Sequence, residues 1–343
     1  VYVMRATTSR IILNLAKLAL GLLILIVLLI QAREGFLRIL EQTIHWPLLA
    51  AALACTFGAA TLSFIRWHLL IRALGINIRL LDTVRLGALG LALNFVSPGA
   101  IGGDFFKAIF LAHGQPGRRT EAIFTVIVDR LVGLLTMLAI GSIGILATNL
   151  LHASSAPLRI LCRLILLVAA AGWLGVVLLL TLPAFTGPRV SNWFEQVPIV
   201  GRTSVRLLAA ARAYRNQIPI LITAFGLSAM GALMYVTSYY LVARGLPIEK
   251  PTWAEHLVII PVAGLVGAIP ITPSGLGTLE LAVKELYKYV LGGTAVGADD
   301  GTLVALVRRV TELAVAFVGV LFYLTHRREV EQVYAEASTD MEA

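Results

Sequence analysis

Apolar residues run through this chain in long blocks, broken by short polar intervals, with little sign of an alternating or one-faced pattern. Six blocks, about 11–30, 47–71, 122–151, 158–182, 218–243 and 302–325, reach the roughly 20 residues that a helix needs to cross the hydrocarbon of a bilayer. Two more blocks, about 86–112 and 254–291, are equally apolar but interrupted. The first contains Asn94, Pro98, Gly99, Gly102, Gly103, Asp104 and Lys107; the second contains Pro261, Pro270, Pro273, Gly275, Gly277 and Glu280. Splitting the first at Ser97-Pro98-Gly99 leaves arms of about a dozen residues, too short to cross. Non-helical backbone at membrane depth persists only where protein or a water-filled cavity satisfies its polar groups. Each broken block therefore predicts a re-entrant helical hairpin.

Basic residues set the orientation. Arg66, Arg72, Arg79 and Arg85 precede the first hairpin, and Lys107, Arg118 and Arg119 follow its tip. Cytoplasmic loops carry the excess of Lys and Arg, so both flanks lie inside and the hairpin enters from the cytoplasm. The interval 183–217, with Arg189, Arg202, Arg206, Arg212 and Arg215, reads as a basic cytoplasmic linker, either a helix on the inner leaflet or a solvated segment. The loop before the last span holds Asp299 and Asp300 with no base, which places it outside and sends the second hairpin inward from there. His326, Arg327 and Arg328 bring the C-terminus back, ahead of a polar tail over 326–343.

The predicted fold is an all-α polytopic membrane protein with about six full transmembrane helices and two oppositely oriented re-entrant hairpins, as in carriers built from inverted repeats. The hairpin tips align Pro98 with Pro273, Ile101 with Leu276 and Gly102 with Gly277, and bring Asp104 and Glu280 within one position of each other. Both termini are expected in the cytoplasm, with the chain integral to the plasma (inner) membrane.

Composition agrees: of 343 residues, 58% are hydrophobic and 14% charged, with a mean hydropathy of +0.87. No polar block is large enough for a soluble domain, so residues 1–343 read as one membrane domain. The first block follows Arg5, Arg10 and Lys17 but exceeds a signal-peptide core and meets no small-x-small cleavage site, so it reads as a retained span. The net charge of +9 fits loops facing anionic lipid and gives no reason to expect nucleic acid. Cys55 and Cys162 lie in apolar runs with no partner at ligand spacing, and the six histidines are scattered. There is no HExxH, GxSxG or phosphate-binding loop. The chain is expected to be no enzyme and to hold no metal or cofactor.

Candidate chemistry lies in the charges inside apolar blocks, because each costs at least about 2.5 kcal/mol at the centre of a membrane helix and so faces the interior with a partner. They are Asp104, Lys107, Asp129, Arg130, Glu280, Lys284, Glu285, Arg308, Arg309 and Glu312. We expect each hairpin acid, Asp104 or Glu280, to pair with an arginine of the following span, leaving other guanidinium groups for a lipid phosphate. Arg130 and Arg309 head the binding candidates, since guanidinium suits phosphate. The bland alternative is that these pairs only lock the hairpins. Gly102, Gly103, Gly275 and Gly277 either allow close backbone packing or present amides to an anion.

Asn94, Pro98, Gly102-Gly103-Asp104, Arg66-Trp67, Asp129-Arg130, Pro273, Gly275, Gly277 and Glu280 together resemble the flippase-like transmembrane domains related to the N-terminal part of lysylphosphatidylglycerol synthases. The resemblance covers nearly the whole chain. It departs from the family pattern at Lys107, where that pattern has an arginine, so the charge is kept and bidentate geometry lost. It implies the lipid-translocating half without an aminoacyl-transferring domain. The residues of the resemblance and the charges inside the apolar blocks together give Asn94, Arg66, Asp104, Lys107, Arg130, Glu280, Arg308 and Arg309 as candidate site residues. The function expected is translocation of an anionic phospholipid or polyprenyl-phosphate-linked lipid between leaflets. The competing readings are a secondary transporter of a small anion and a non-transporting accessory subunit of a lipid-modifying complex. A homo-oligomer is compatible with all three.

Overall fold

The structure, a computed structural model, describes residues 22–30, 43–96, 102–113, 118–153, 155–182, 214–269 and 271–325, with single positions at 19, 115 and 212. Half of the first expected span, the first hairpin's tip with Pro98 and Gly99, most of the basic linker and the polar tail lie outside the described residues. Among the described residues the ordered structure is helical throughout.

Past the helical residues 22–30, the chain forms α1 (Trp46–Ala73), α2 (Leu80–Val96), α3 (Gly102–His113), α4 (Arg119–Ala147), α5 (Ala156–Thr181), α6 (Ile218–Gly245), α7 (Trp253–Ala268), α8 (Thr278–Val290) and α9 (Ala295–Thr325). Proline opens α1, α5 and α6 at a first-turn position, where its missing N–H would have had no partner. Thr252 and Glu255 cap α7 reciprocally. By length and composition α1, α4, α5 and α6 can each cross a membrane. α9 has the length as well, at 31 residues, and carries Arg308, Arg309 and Glu312 near its middle.

The chain repeats a pattern of long helix, two-armed hairpin, long helix. α1 and α6 have 28 residues each, α2 and α7 have 17 and 16, α3 and α8 have 12 and 13, and α4 and α9 have 29 and 31. Packing repeats too. α1 lies along α6, and the last helix of each half packs on the first hairpin arm of the other, α4 on α7 and α9 on α2. The hairpins interlock the halves, and α5 packs outside on α4. Its Ile160, Leu164, Leu167, Val168 and Leu174 are exposed, a face suited to lipid.

The first hairpin departs from the expected boundaries. α2 starts at Leu80, six residues before the apolar block, because Asp82 in its first turn favours a helix start there. At about 1.5 Å per residue α2 spans about 26 Å and α3 about 18 Å, both short of the roughly 30 Å hydrocarbon core.

Close backbone approach holds each hairpin shut. A Cβ on Gly103 would stand 1.8 Å from the carbonyl oxygen of Gly90 across the arms. In the second hairpin, Gly275 has φ +65° and a Cβ there would meet the oxygen of Gly267 at 2.7 Å, so glycine alone fits. The base of that hairpin is tied by His256 Nε2 and Tyr287 Oη at 2.6 Å.

Candidate functional site

The charges inside the apolar blocks converge on the junction of the two halves. Asp104 and Glu280 are each the third residue of a hairpin's second arm, α3 and α8. Each meets an arginine of the next long helix. Arg130 Nε on α4 donates to Asp104 Oδ2, and Arg309 Nε on α9 donates to Glu280 Oε1 at 2.6 Å.

The neighbours on those long helices make a second, matching connection. Asp129 accepts from Arg66 Nε at 2.8 Å, and Arg308 Nε donates to Ser238 Oγ at 2.8 Å. Arg66 lies twenty residues into α1 (46 to 66) and Ser238 twenty residues into α6 (218 to 238). The geometry repeats while the chemistry changes, from a salt bridge to a guanidinium held by a hydroxyl. Arg66 Nη1 crosses to Ser228 of α6 at 2.8 Å, and Arg308 reaches back through Thr311 (3.1 Å) to Thr56 of α1 (3.4 Å between hydroxyls).

The two acid–arginine pairs differ in burial. The Arg309 side chain is 7% exposed and ringed by oxygen: Glu280, Glu312 at 3.1 Å, and the carbonyls of Ser274 and Gly275. Glu280 is fully buried and also accepts the Gly277 N–H at 2.8 Å. Arg130 is 48% exposed, and its partner Asp104 is shared with Lys107 Nζ at 3.2 Å. That ammonium lies over the ring of Trp67, whose indole donates to Thr125.

A cavity of about 1070 Å³ occupies the junction, and both halves line it. Its charged walls are Arg66, Asp104, Lys107, Asp129 and Arg130 from the first half, and Arg308 and Glu312 from the second. Arg308 is buried against Tyr235 and Tyr239, its guanidinium carbon 4.9 and 5.1 Å from the ring centres. Among the described residues no carboxylate pairs with it. Part of the rim is apolar: Ile123, Ile127, Leu131 and Leu134 form an exposed ridge on α4, joined by Phe105 and Ile269.

A family model described as "Lysylphosphatidylglycerol synthase TM region" matches residues 14–319. The chain belongs to that family. No curated protein matches it. As a member of the lysylphosphatidylglycerol synthase TM region family, the protein is a helical membrane protein with a role connected to membrane lipid.

Within this family member the expected site residues separate into three groups. Arg66, Asp104, Lys107, Arg130, Arg308 and Asn94 line the cavity. Arg309 and Glu280 stand behind the wall, so the second half presents Arg308 where the sequence reading favoured Arg309. Adjacent residues on a helix point about 100° apart, which separates the two. The glycines form the third group. The Gly103 N–H is taken by Asn94 Oδ1 at 2.9 Å and the Gly277 N–H by Glu280, so neither amide awaits an anion. Asn94 is thus the clasp of the first hairpin as well as part of the cavity wall. Gly102 begins α3, and Pro273 opens the short turn ahead of α8.

Sequence reasoning passed over Ser63, Ser228, Ser238, Tyr235 and Tyr239, which hold Arg66 and Arg308. Ser228 and Ser238 were visible as polar residues in a membrane-length helix, the kind that bonds across helices.

Proposed function

We propose that this protein is a lipid translocase that moves an anionic phospholipid or polyprenyl-phosphate-linked lipid between leaflets. The observation that carries the reading is the cavity: guanidinium and ammonium groups line its interior, and exposed apolar side chains of α4 border it. A phosphate can enter sideways and meet Arg130 and Arg308 while its acyl chains stay against Ile123, Ile127 and Leu131. A carrier of small water-soluble anions has no use for an apolar flank.

In this reading the two hairpins are re-entrant and enter from opposite faces, the halves form an inverted repeat, both termini are cytoplasmic, and the membrane is the plasma (inner) membrane. Arms shorter than the hydrocarbon core and matched helix lengths support it. Arg130 is the first contact because it is the more exposed guanidinium of the two paired arginines. Arg308, buried on the opposite wall of the cavity, is the second contact. Asp104 and Glu280 keep the hairpins seated and are the carboxylates placed to carry protons if transport is coupled to a gradient. The protein acts as a carrier and not as an enzyme.

The test is leaflet exchange of fluorescent anionic lipids in liposomes containing the purified protein, comparing wild type with Arg130→Ala and Arg308→Ala. Exchange above protein-free liposomes, reduced roughly tenfold or more in each variant, is expected, since one charge-assisted contact is worth roughly 1.5–3 kcal/mol. Equal rates with and without protein, across the panel and with gradients applied, sink the reading.

A further inference from the structure

Arg308 reaches the cavity with its guanidinium fixed. Nε donates to Ser238 Oγ at 2.8 Å and Nη1 to Thr311 Oγ1 at 3.1 Å, while the rings of Tyr235 and Tyr239 flank the guanidinium carbon at 4.9 and 5.1 Å. Nη2 donates to no atom among the described residues and is not sealed off, so its N–H groups open on the cavity that Arg308 lines.

Tyr235 and Tyr239, one turn apart on α6, play different parts beside it. Tyr235 also lines the cavity, whereas Tyr239 is 2% exposed and stands behind the wall. Their hydroxyls lie 3.4 Å apart, each the other's hydrogen-bond partner among the described residues. A phenol has one proton to donate and an oxygen that accepts. Were Tyr235 the donor, the Tyr239 proton would be buried with nothing to bond, which is costlier than leaving a proton at the cavity. Building on the translocase reading, we propose that Tyr239 donates to Tyr235, and that Tyr235, its own proton left for the cavity, joins Arg308 Nη2 in a two-donor subsite for the non-bridging oxygens of a lipid phosphate. Arg308 supplies the charge from α9 and Tyr235 a neutral donor from α6, so the headgroup bridges two long helices. Tyr239 is a positioning residue that acts through Tyr235.

Tyr235→Phe isolates the hydroxyl, because the ring and its contact with the guanidinium remain. Purified variants and wild type are compared in liposomes containing increasing fractions of fluorescent phosphatidylglycerol. In Tyr235→Phe the lipid fraction at half-maximal exchange should rise roughly two- to tenfold, the span of one neutral hydrogen bond, with the unfolding midpoint in detergent unchanged. Tyr239→Phe should stay within about twofold of wild type, and adding it to Tyr235→Phe should change nothing further. A second readout leaves the phenol in place. With 3-fluorotyrosine in place of Tyr235, the fluorine resonance should move on titration with short-chain phosphatidylglycerol and stay put with the tail-matched diacylglycerol, which lacks the phosphate. Movement with inorganic phosphate but not with the lipid, no movement with either, an unshifted half-saturation in Tyr235→Phe, or an equal rise in Tyr239→Phe overturns the subsite and leaves the translocase standing. Failure of wild type to exchange any lipid overturns the translocase, and this inference with it.

Discussion

Removing Arg309 or Arg130 deletes the same kind of group from equivalent places in the two halves, yet the burial of the pairs predicts unequal losses of stability. Arg309→Ala strips the cation from Glu280, which is fully buried, and from Glu312. Two carboxylates then lose their shared cation, and among the described residues the Gly277 N–H is the remaining hydrogen-bond donor to Glu280. Breaking a buried pair from one side costs about 3–5 kcal/mol, because the partner's desolvation is no longer offset. Arg130→Ala leaves Asp104 with Lys107 at 3.2 Å and removes a side chain that is 48% exposed, so the cost stays near the 0–1 kcal/mol of an exposed pair. Equilibrium unfolding of both purified variants in detergent micelles, followed by tryptophan fluorescence, measures the difference. Arg309→Ala should lose at least about 2 kcal/mol more than Arg130→Ala, while Arg130→Ala loses transport. Equal losses, or the reverse order, would refute the claim that burial separates the two pairs.

Two further outcomes follow from the geometry. Gly103→Ala drives a methyl into the Gly90 carbonyl and strains the Asn94 clasp, and should destabilise by about 1–3 kcal/mol or more, whereas Gly226→Ala, with open space around it, should be neutral or stabilising by up to about 1 kcal/mol. The same unfolding assay reads both, and a harmless Gly103→Ala would contradict the close packing of α2 on α3. Arg118→Cys, in a background with Cys55 and Cys162 replaced by serine, should react with a membrane-impermeant maleimide from the cytoplasmic side only; labelling from outside would rule out a first hairpin that enters from the cytoplasm.

Much of this molecule is legible in hydropathy and charge. The long apolar blocks around α1, α4, α5 and α6 need only the match between helix length and bilayer thickness, a one-dimensional property. Proline and glycine inside apolar sequence mark both hairpins for the same reason, since local backbone preference breaks a helix whatever surrounds it. Even the helix start at Leu80 had a local signal in Asp82, outweighed by attention to the apolar run. The list of buried charges also follows from residue type and depth alone.

What the one-dimensional pattern leaves open is which charge faces which. Arg66 and Asp129 stand 63 residues apart and meet only because α1 and α4 pack together. Arg308 and Arg309 are equivalent in composition and in depth; packing of α9 against the tyrosines of α6 and the arm of α8 turns one to the cavity and closes the other behind it. Asn94 becomes a clasp only when α3 folds back on α2 to within reach of its amide oxygen. Sequence alone determined the membrane class, the helical fold, the broken segments and the inventory of charges, because each depends on local composition and length. Tertiary structure alone decided the partners, the exposure and the cavity, because those depend on the face each helix turns to its neighbour, and in a mostly apolar helix the pattern does not choose that face.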